Sequence, residues 1–243
     1  MSYVLIVGAK SDIAKATARE YAKNGYDLYL ASRNSDELKE FQTDIKVRSS
    51  VAVQLKELDI VDFDSHEDFY NSLEPKPLGV IIVSGYMAEQ KKSQKNFTTT
   101  LNTINVNYTG AVSLLNIVAN DMEQNKNGFI VGVSSVAGDR GRKANYIYGS
   151  SKAAFTAYLS GLRNRLYESG VKVLTVKPGF VTTKMTEGLD LPEKLTASPE
   201  EVASDIYNAQ QKGKDVLYTK GIWSFVMLII KHIPEMLFKR MSI

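Results

Sequence analysis

Length, composition and charge exclude several classes of protein before any motif is considered. The chain has 243 residues, 44% of them hydrophobic and 23% charged, as expected for one well-buried globular domain. A formal net charge of +3 is too small to indicate nucleic-acid binding, and the absence of cysteine excludes disulfides and cysteine-ligated metals. The N-terminus lacks the basic leader of a signal peptide, so we expect a cytoplasmic protein.

The first predicted elements are a buried strand at residues 3–7, a tight turn at 8–14 and a helix that follows. Such a turn can form a phosphate site, because backbone N–H groups and the helix dipole point at the anion. Gly8 is the one glycine of this turn, and Asp12 and Ala14 stand where a dinucleotide fingerprint often has glycines. The turn alone therefore supports a dinucleotide site and an ordinary strand-to-helix connection equally.

The second predicted strand, at residues 26–31, leads to a position that selects the cofactor. An acid there binds the ribose 2′-OH of NAD, whereas an arginine accommodates the 2′-phosphate of NADP. The chain has Ser32 and Arg33 there and no acid between Leu30 and Ser35. We therefore favour NADP(H), with NAD(H) as the alternative, since Arg33 could also stack on the adenine of either cofactor.

Five further apolar runs continue the alternation of strands with helical or turn-rich segments. They span residues 51–55, 78–83, 129–133, 171–176 and 215–218. This alternation predicts an α/β fold in which helices cover both faces of a doubly wound parallel sheet. No repeat or linker divides the chain, so residues 1–243 are predicted to form a single Rossmann-type domain.

Tyr148 and Lys152 form the most informative motif, because residues four apart share one face of a helix. An ammonium beside a phenol favours the phenolate, so we predict that Lys152 lowers the pKa of Tyr148 toward that of a general acid/base. Ser135, in the turn-rich segment 133–138, could hydrogen-bond the same substrate oxygen. Taken alone, such a pair also occurs by chance on exposed helices.

Together and in this order, the motifs resemble those of the short-chain dehydrogenase/reductase family along nearly the whole chain. The resemblance implies an NAD(P)-dependent oxidoreductase that acts on alcohol and ketone groups. Its catalytic residues would be Ser135, Tyr148, Lys152 and Asn107, of which Asn107 would hold a proton-relay water. A non-catalytic module that senses the dinucleotide is an alternative, but an intact catalytic set counts against it.

His66 and His232 lie in no hydrolase motif, and no acidic or histidine cluster has the spacing of a metal site.

The resemblance also implies a cofactor site built from six segments of the chain. Its residues are Gly8, Ser11, Asp12 and Ile13 in the first turn; Ser32 and Arg33; Asp59 and Ile60 at the adenine; Ser84 and Gly85; Tyr148 and Lys152; and Pro178, Gly179, Val181 and Thr183 at the nicotinamide. Ser84-Gly85 replaces an Asn-Asn-Ala-Gly turn and is, like Asp12, a departure from the family pattern.

Two regions remain, a loop and the tail, and the tail is not part of the general family pattern. Residues 182–198 are predicted to form a substrate loop, with a plain surface excursion as the alternative. The tail, residues 222–243, begins with an apolar run at 222–230 that is shorter than the about 18 residues of a membrane span. Three interpretations stay open: packing on the domain or a partner subunit, contact with the membrane interface, or a channel for a lipid-bearing substrate.

The second half resembles, more narrowly, family members that reduce a keto sugar carried on a polyprenyl phosphate. The matching segments are residues 142–152, 212–217 and 227–234. This narrower resemblance implies a 2-keto-pentose substrate on a lipid or carrier, a role in making cell-envelope glycan precursors, and a flavin oxidase as partner. It also implies a homodimer or homotetramer and peripheral contact with the inner face of the membrane. A reductase of another small ketone and a membrane-surface scaffold stay open as alternatives.

Overall fold

The computed structural model describes residues 2–188 and 190–241. Its strands are β1 (Tyr3–Val7), β2 (Asp27–Ser32), β3 (Val53–Glu57), β4 (Gly79–Ile82), β5 (Phe129–Val133), β6 (Lys172–Pro178), β7 (Phe180–Val181), β8 (Thr196–Ala197) and β9 (Val216–Thr219). Its helices are α1 (Asp12–Lys23), α2 (Lys39–Ser49), α3 (His66–Asn71), α4 (Gln90–Ser93), α5 (Phe97–Ile104), α6 (Gly110–Asn125), α7 (Tyr146–Leu166), α8 (Pro199–Gln211), α9 (Ile222–His232) and α10 (Glu235–Phe238). Met1, Leu189, Ser242 and Ile243, which the predicted domain, loop and tail include, lie outside the described residues.

Seven strands form one parallel sheet in the order β3-β2-β1-β4-β5-β6-β9. The chain starts at the centre with β1, runs outward to β3, and returns to place β4 on the other side of β1. The connections from β1 and β4 therefore leave in opposite directions, which opens a crevice at the carboxyl ends of these two strands. The predicted fold class is confirmed, and each predicted strand lies in this sheet.

Two apolar cores cover the two faces of the sheet. Alternate residues of β1 point to opposite sides, so that Val4 and Ile6 pack with α1, α2 and α8, whereas Leu5 and Val7 pack with α3, α6 and α7. These four residues are almost completely buried, which explains why the strand is a continuous apolar run rather than an alternating one.

The predicted substrate loop is held at both ends by a small second sheet. β7 and β8 pair in parallel, with Phe180 opposite Thr196 and Val181 opposite Ala197. Between them, the described residues include two short 3₁₀ turns, Lys184–Thr186 and Glu193–Leu195. These strands were not predicted, because a strand of two residues leaves no recognisable pattern in the sequence.

The tail folds into α9 and α10. Trp223, Met227 and Ile230, spaced along one face of α9, are buried against Val136 in the turn that follows Ser135. This face of the tail therefore packs on the domain. The opposite face is exposed and apolar. Within the described ranges, no helix has both the length and the apolar character to cross a membrane.

Candidate active site

Gly8 shapes the first turn of the site through its backbone conformation. Its φ of +84° lies in the left-handed region, and a Cβ at this position would lie 2.6 Å from the backbone nitrogen of Ser84. Ser11 then caps α1, since its Oγ accepts a hydrogen bond from the N–H of Ala14 at 3.3 Å. The close approach of the Gly8 and Ser84 backbones therefore requires a glycine at this one point of the turn.

A cavity of about 210 Å³ opens at the carboxyl ends of β1, β2 and β4. Its lining includes eight residues that the sequence assigns to the cofactor: Gly8, Ser11, Ser32, Arg33, Asp59, Ile60, Ser84 and Gly85. The hydroxyl oxygens of Ser32 and Ser84 are buried and have no hydrogen-bond partner among the described residues. Buried polar groups are normally paired, so these two hydroxyls fit a cavity whose ligand carries polar groups, as the ribose of a dinucleotide does.

Arg33 lies exposed at the rim of this cavity, on a turn that a glutamate organises. The Glu57 carboxylate, at the end of β3, accepts hydrogen bonds from the N–H groups of Asn34 at 2.7 Å and Ser35 at 2.8 Å. These two bonds are the main reason why the pKa of Glu57 lies below its usual value. Sequence reasoning missed Glu57, because its contacts join β3 to a turn more than twenty residues earlier.

A second cavity, of about 390 Å³, contains the predicted catalytic groups. Its lining includes eleven of the predicted site residues: Ser11, Asp12, Ile13, Gly85, Ser135, Tyr148, Lys152, Pro178, Gly179, Val181 and Thr183. Ser11 and Gly85 also line the first cavity, so the two cavities adjoin near the end of β4. The fold thus brings together residues from segments that are far apart in the chain.

Tyr148 and Lys152 lie on one face of α7, but their pKa values differ from the prediction. Burial raises the pKa of Tyr148 to about 12, and a hydrogen bond with Ser135 opposes part of this shift. Burial also lowers the pKa of Lys152 to about 8. The Lys152 ammonium donates to the carbonyl oxygen of Val133 at 3.0 Å and lies 5.9 Å from the centre of the Tyr148 ring. The prediction that Lys152 lowers the pKa of Tyr148 is therefore wrong for this structure, because burial dominates.

Ser135 is held in extended backbone at the start of a 3₁₀ turn, Val136–Gly138. Its Oγ accepts a hydrogen bond from the N–H of Ala137 at 3.1 Å, which leaves the hydroxyl proton available for another acceptor. The side chain therefore has a fixed position in the cavity wall and keeps its hydroxyl proton for Tyr148 or for a substrate oxygen beside it.

Asn107 lies behind the cavities rather than in their walls. It belongs to a π-helical segment, Asn105–Thr109, between α5 and α6, and is buried. Its side-chain oxygen accepts from the N–H of Tyr86 at 2.7 Å, and its amide donates to the Tyr86 carbonyl at 2.8 Å and to Ser151 Oγ at 3.0 Å. These bonds fix the segment after Gly85. The assignment of a relay water to Asn107 stays a prediction.

Helix α9 contributes to the site through Trp223. A Cβ at Gly179 would lie 1.9 Å from Trp223 Nε1, so only glycine allows this ring to pack on the predicted nicotinamide turn. The same Nε1 donates a hydrogen bond to the carbonyl of Leu195 at 2.9 Å, in the segment that leads to β8. Trp223 is the single tryptophan of the chain, but nothing in its local sequence indicates these distant contacts.

Two charged residues near the first turn, Lys10 and Asp12, line the cavities and also make contacts that the sequence did not predict. Lys10, which was missed, lines both cavities and pairs with Glu37 at 3.0 Å. Asp12, a predicted cofactor residue, accepts a hydrogen bond from the backbone N–H of Lys184 at 2.9 Å. The Asp12 carboxylate therefore ties α1 to the substrate loop while it lines the larger cavity.

Comparisons with known proteins identify the family. Residues 2–194 match the family model that is described as short chain dehydrogenase. An uncharacterized oxidoreductase of Mycobacterium tuberculosis is 33% identical over 241 residues, which cover 98% of this chain and 96% of the relative. The chain belongs to the short-chain dehydrogenase/reductase family. As a family member, it is an oxidoreductase that acts on alcohol and ketone groups.

Two further comparisons agree with membership of the short-chain dehydrogenase/reductase family. A relative of Streptomyces coelicolor, also named an uncharacterized oxidoreductase, is 31% identical over 246 residues, covering 99% of this chain and 96% of the relative. The solved structure of a short-chain dehydrogenase from Sphingobium yanoikuyae, a complex with NADPH, superposes with a TM-score of 0.83. At 24% identity, with 97% of each chain covered, it shows the shared fold.

Proposed function

We propose that the protein is an NADPH-dependent reductase of a ketone on a lipid-linked or carrier-linked sugar. The observation that carries the reductase part is the shared cavity: Ser135, Tyr148 and Lys152 line the same space as the turn around Gly179. That space adjoins the cavity in which the Ser32 and Ser84 hydroxyls lack partners among the described residues. A proton donor and a dinucleotide site thus lie side by side.

NADPH is the cofactor that we propose, with NADH as the alternative. The chemistry that it supplies when bound is hydride donation. Ser32, Ser84 and Arg33 would hold the adenosine end, with Arg33 at the 2′-phosphate, because a guanidinium forms paired hydrogen bonds with phosphate oxygens. Pro178, Gly179, Val181 and Thr183 would hold the nicotinamide end. The NADPH complex of the Sphingobium dehydrogenase, which shares the fold, supports this choice.

The protein's own groups then handle the proton. The Tyr148 hydroxyl gives its proton to the substrate oxygen as negative charge develops there. Its pKa of about 12 keeps it protonated at neutral pH, so it is in the form that a reduction needs. Ser135 uses its hydroxyl donor to orient the same oxygen. Lys152 holds a positive charge beneath the site and would bind the nicotinamide ribose.

The substrate part of the proposal depends on the narrower sequence resemblance and on the tail. Residues 142–152, 212–217 and 227–234 resemble decaprenylphosphoryl-2-ketoribose reductase, which acts with a flavin oxidase in making a lipid-linked arabinose. A 2-keto-pentose on a polyprenyl phosphate is therefore the substrate that we propose, with a flavin oxidase as partner and a homodimer or homotetramer as assembly.

The exposed face of α9 supports a lipid-bearing substrate and contact with a membrane surface. Ile222, Phe225, Leu228 and Ile229 are each at least half exposed, although they are large and apolar. Basic residues follow this face in the chain, with Lys231 in α9 and Lys239 and Arg240 after α10. An apolar face with basic ends is typical of a helix that lies in the interface of an anionic membrane.

A direct assay tests the substrate. Purified protein is given NADPH and either a 2-keto-pentose on a polyprenyl phosphate or the same sugar on a short water-soluble phosphate, and NADPH oxidation is followed by absorbance. We expect both to be reduced, with the higher kcat/KM for the polyprenyl form. Reduction of simple ketones but of neither sugar would contradict the substrate and leave the reductase assignment in place.

A further inference from the structure

Arg142 lies in the wall of the catalytic cavity, and none of the described residues gives it a partner that matches its charge. It precedes α7 and shares the cavity lining with Ser135 and Tyr148. Its Nε is buried and has no hydrogen-bond partner among the described residues. Its Nη2 contacts the sulfur of Met227 at 3.3 Å, and a thioether is a weak acceptor.

Asp139 is the acid whose negative charge acts on Arg142, but its carboxylate is already hydrogen-bonded to other residues. Asp139 accepts a hydrogen bond from Lys177 Nζ at 2.5 Å on one carboxylate oxygen and from the Tyr218 hydroxyl at 2.6 Å on the other. The described residues give Asp139 and Arg142 no ion pair. A half-buried guanidinium with a buried Nε and no carboxylate partner among the described residues is costly, so the fold retains a charge here that does not stabilise it.

Arg140, two residues earlier, shows that this part of the chain can supply an arginine with carbonyl and carboxylate acceptors. Its guanidinium donates to the carbonyl oxygens of Ile230 and Ile233, each at 2.6 Å, and to Glu235 at 2.9 Å. It also lies over the Phe238 ring at 3.7 Å. Arg142, which faces the cavity, therefore differs from Arg140 in having N–H donors without a good acceptor among the described residues.

Asn145 adds an acceptor to the same wall. It precedes α7 but makes no capping hydrogen bond, and its Oδ1 is buried without a partner among the described residues. It lines the cavity three residues before Tyr148. One wall thus presents an unmatched cation and an unmatched acceptor beside the proton donor.

We infer that Arg142 binds an oxyanion of the substrate, a phosphate ester or a carboxylate, and that Asn145 accepts a hydrogen bond from a substrate hydroxyl. A guanidinium binds either oxyanion with paired, charge-assisted hydrogen bonds. The substrate class is then an anionic hydroxyketone. The inference rests on the proposed reductase function and adds specificity residues to it.

Matched ketones test the inference. NADPH oxidation is measured with dihydroxyacetone phosphate against dihydroxyacetone, and with levulinate against its methyl ester. Arg142→Gln should raise KM for the two anionic ketones by about tenfold or more, since a hydrogen bond to a charged group contributes about 1.5–3 kcal/mol. KM for the neutral partners should not change. Arg142→Lys should recover part of the loss, and Arg48→Gln, on the exposed surface of α2, is the charge control.

Asn145→Ala should raise KM for dihydroxyacetone and its phosphate but not for methyl levulinate, which has no hydroxyl. Equal changes across all four ketones, or a weaker affinity for NADPH in Arg142→Gln, would overturn the inference. Thermal unfolding tests for a folding defect: Arg142→Gln should melt at or above the wild-type temperature, because a half-buried charge without an ion-pair partner among the described residues is removed.

A binding measurement separates this inference from the proposed function. Glycerol 3-phosphate is titrated into NADPH-loaded protein by calorimetry, with wild type and Arg142→Gln compared. Binding that depends on Arg142, in a protein that reduces no ketone, would reject the reductase and support the anion site. Ketone reduction without preference for anions, and without binding of glycerol 3-phosphate, would reject the anion site and leave the reductase in place.

Discussion

Lys152 carries its ammonium into the interior of the protein, where the Val133 carbonyl accepts its hydrogen bond. Burial lowers the pKa of this lysine from 10.5 to about 8, so the group is charged at neutral pH but held there against a desolvation cost. A residue that lowers stability in this way is typical of a functional site. Under the proposed function, the charge serves to bind the nicotinamide ribose.

Replacing Lys152 should therefore stabilise the protein. We expect Lys152→Met to melt at a higher temperature than wild type at neutral pH, because the methionine fills the same space without a charge. The folded pKa lies below the unfolded one, so between about 8 and 10.5 the unfolded wild type binds more protons and its stability rises with pH. The advantage of Lys152→Met should thus be largest below pH 8 and shrink above it. A variant that melts lower than wild type at neutral pH would show that the bond to Val133 outweighs desolvation.

Arg33 is the residue that decides the cofactor in this account. Arg33→Ala should raise the Kd for NADPH more than the Kd for NADH, because a charge-assisted hydrogen bond to the 2′-phosphate contributes about 1.5–3 kcal/mol. Both constants are measured by fluorescence titration, with Arg48→Ala as the control. Equal losses for the two cofactors would indicate adenine stacking alone.

Local sequence predicts some residues of the site well and others not at all. Gly8, Ser135, Tyr148 and Lys152 are recognisable because each stands in a short motif whose chemistry is local. Arg142 is different, because what makes it unusual is the lack of a partner among the described residues, and partners come from distant segments. The pKa of Tyr148 was mispredicted for a related reason: burial depends on the whole fold, whereas helical spacing does not.

Among the elements, α9 has two faces with different surroundings. Trp223, Met227 and Ile230 pack beside the catalytic turn, while Phe225 is 62% exposed on the opposite side. The apolar run at 222–230 predicts a buried or lipid-contacting segment but does not distinguish the faces, because nearly every position in it is apolar. What distinguishes the two faces is which of them has packing partners, and those partners again come from distant segments of the chain.

Serine at two exposed positions of α9 tests the lipid contact. The double substitution Phe225→Ser and Ile229→Ser should leave the reduction of a water-soluble keto sugar unchanged and lower kcat/KM for the polyprenyl-linked form. Both positions face solvent, so folding should be preserved. Val47→Ser, at another exposed apolar position on α2, is the control. If both substrates are affected in proportion, the face serves folding or subunit contact and not lipid.

At the scale of the whole molecule, the parallel sheet determines where the site lies. The crevice opens between the parallel strands β1 and β4, because the chain adds β2 and β3 on one side of β1, and then β4 and the later strands of the sheet on the other side. Each of the first six strands of the large sheet ends near a residue that is proposed to bind the cofactor or to transfer the proton. The strand pattern predicts this arrangement because buried parallel strands are continuous apolar runs. The β7–β8 pair and the contact of Asp12 with Lys184 were not predicted, since they involve two-residue strands and a single backbone N–H.

The central claim is that Tyr148 donates the proton in a ketone reduction that uses NADPH. The direct measurement compares kcat and the NADPH Kd of Tyr148→Phe with those of wild type. We expect kcat to fall by about 10²–10⁴-fold while the Kd stays unchanged, because only a proton donor is removed. Tyr146→Phe, at an exposed position of the same helix, should behave as wild type. Near-normal turnover in Tyr148→Phe would contradict the account.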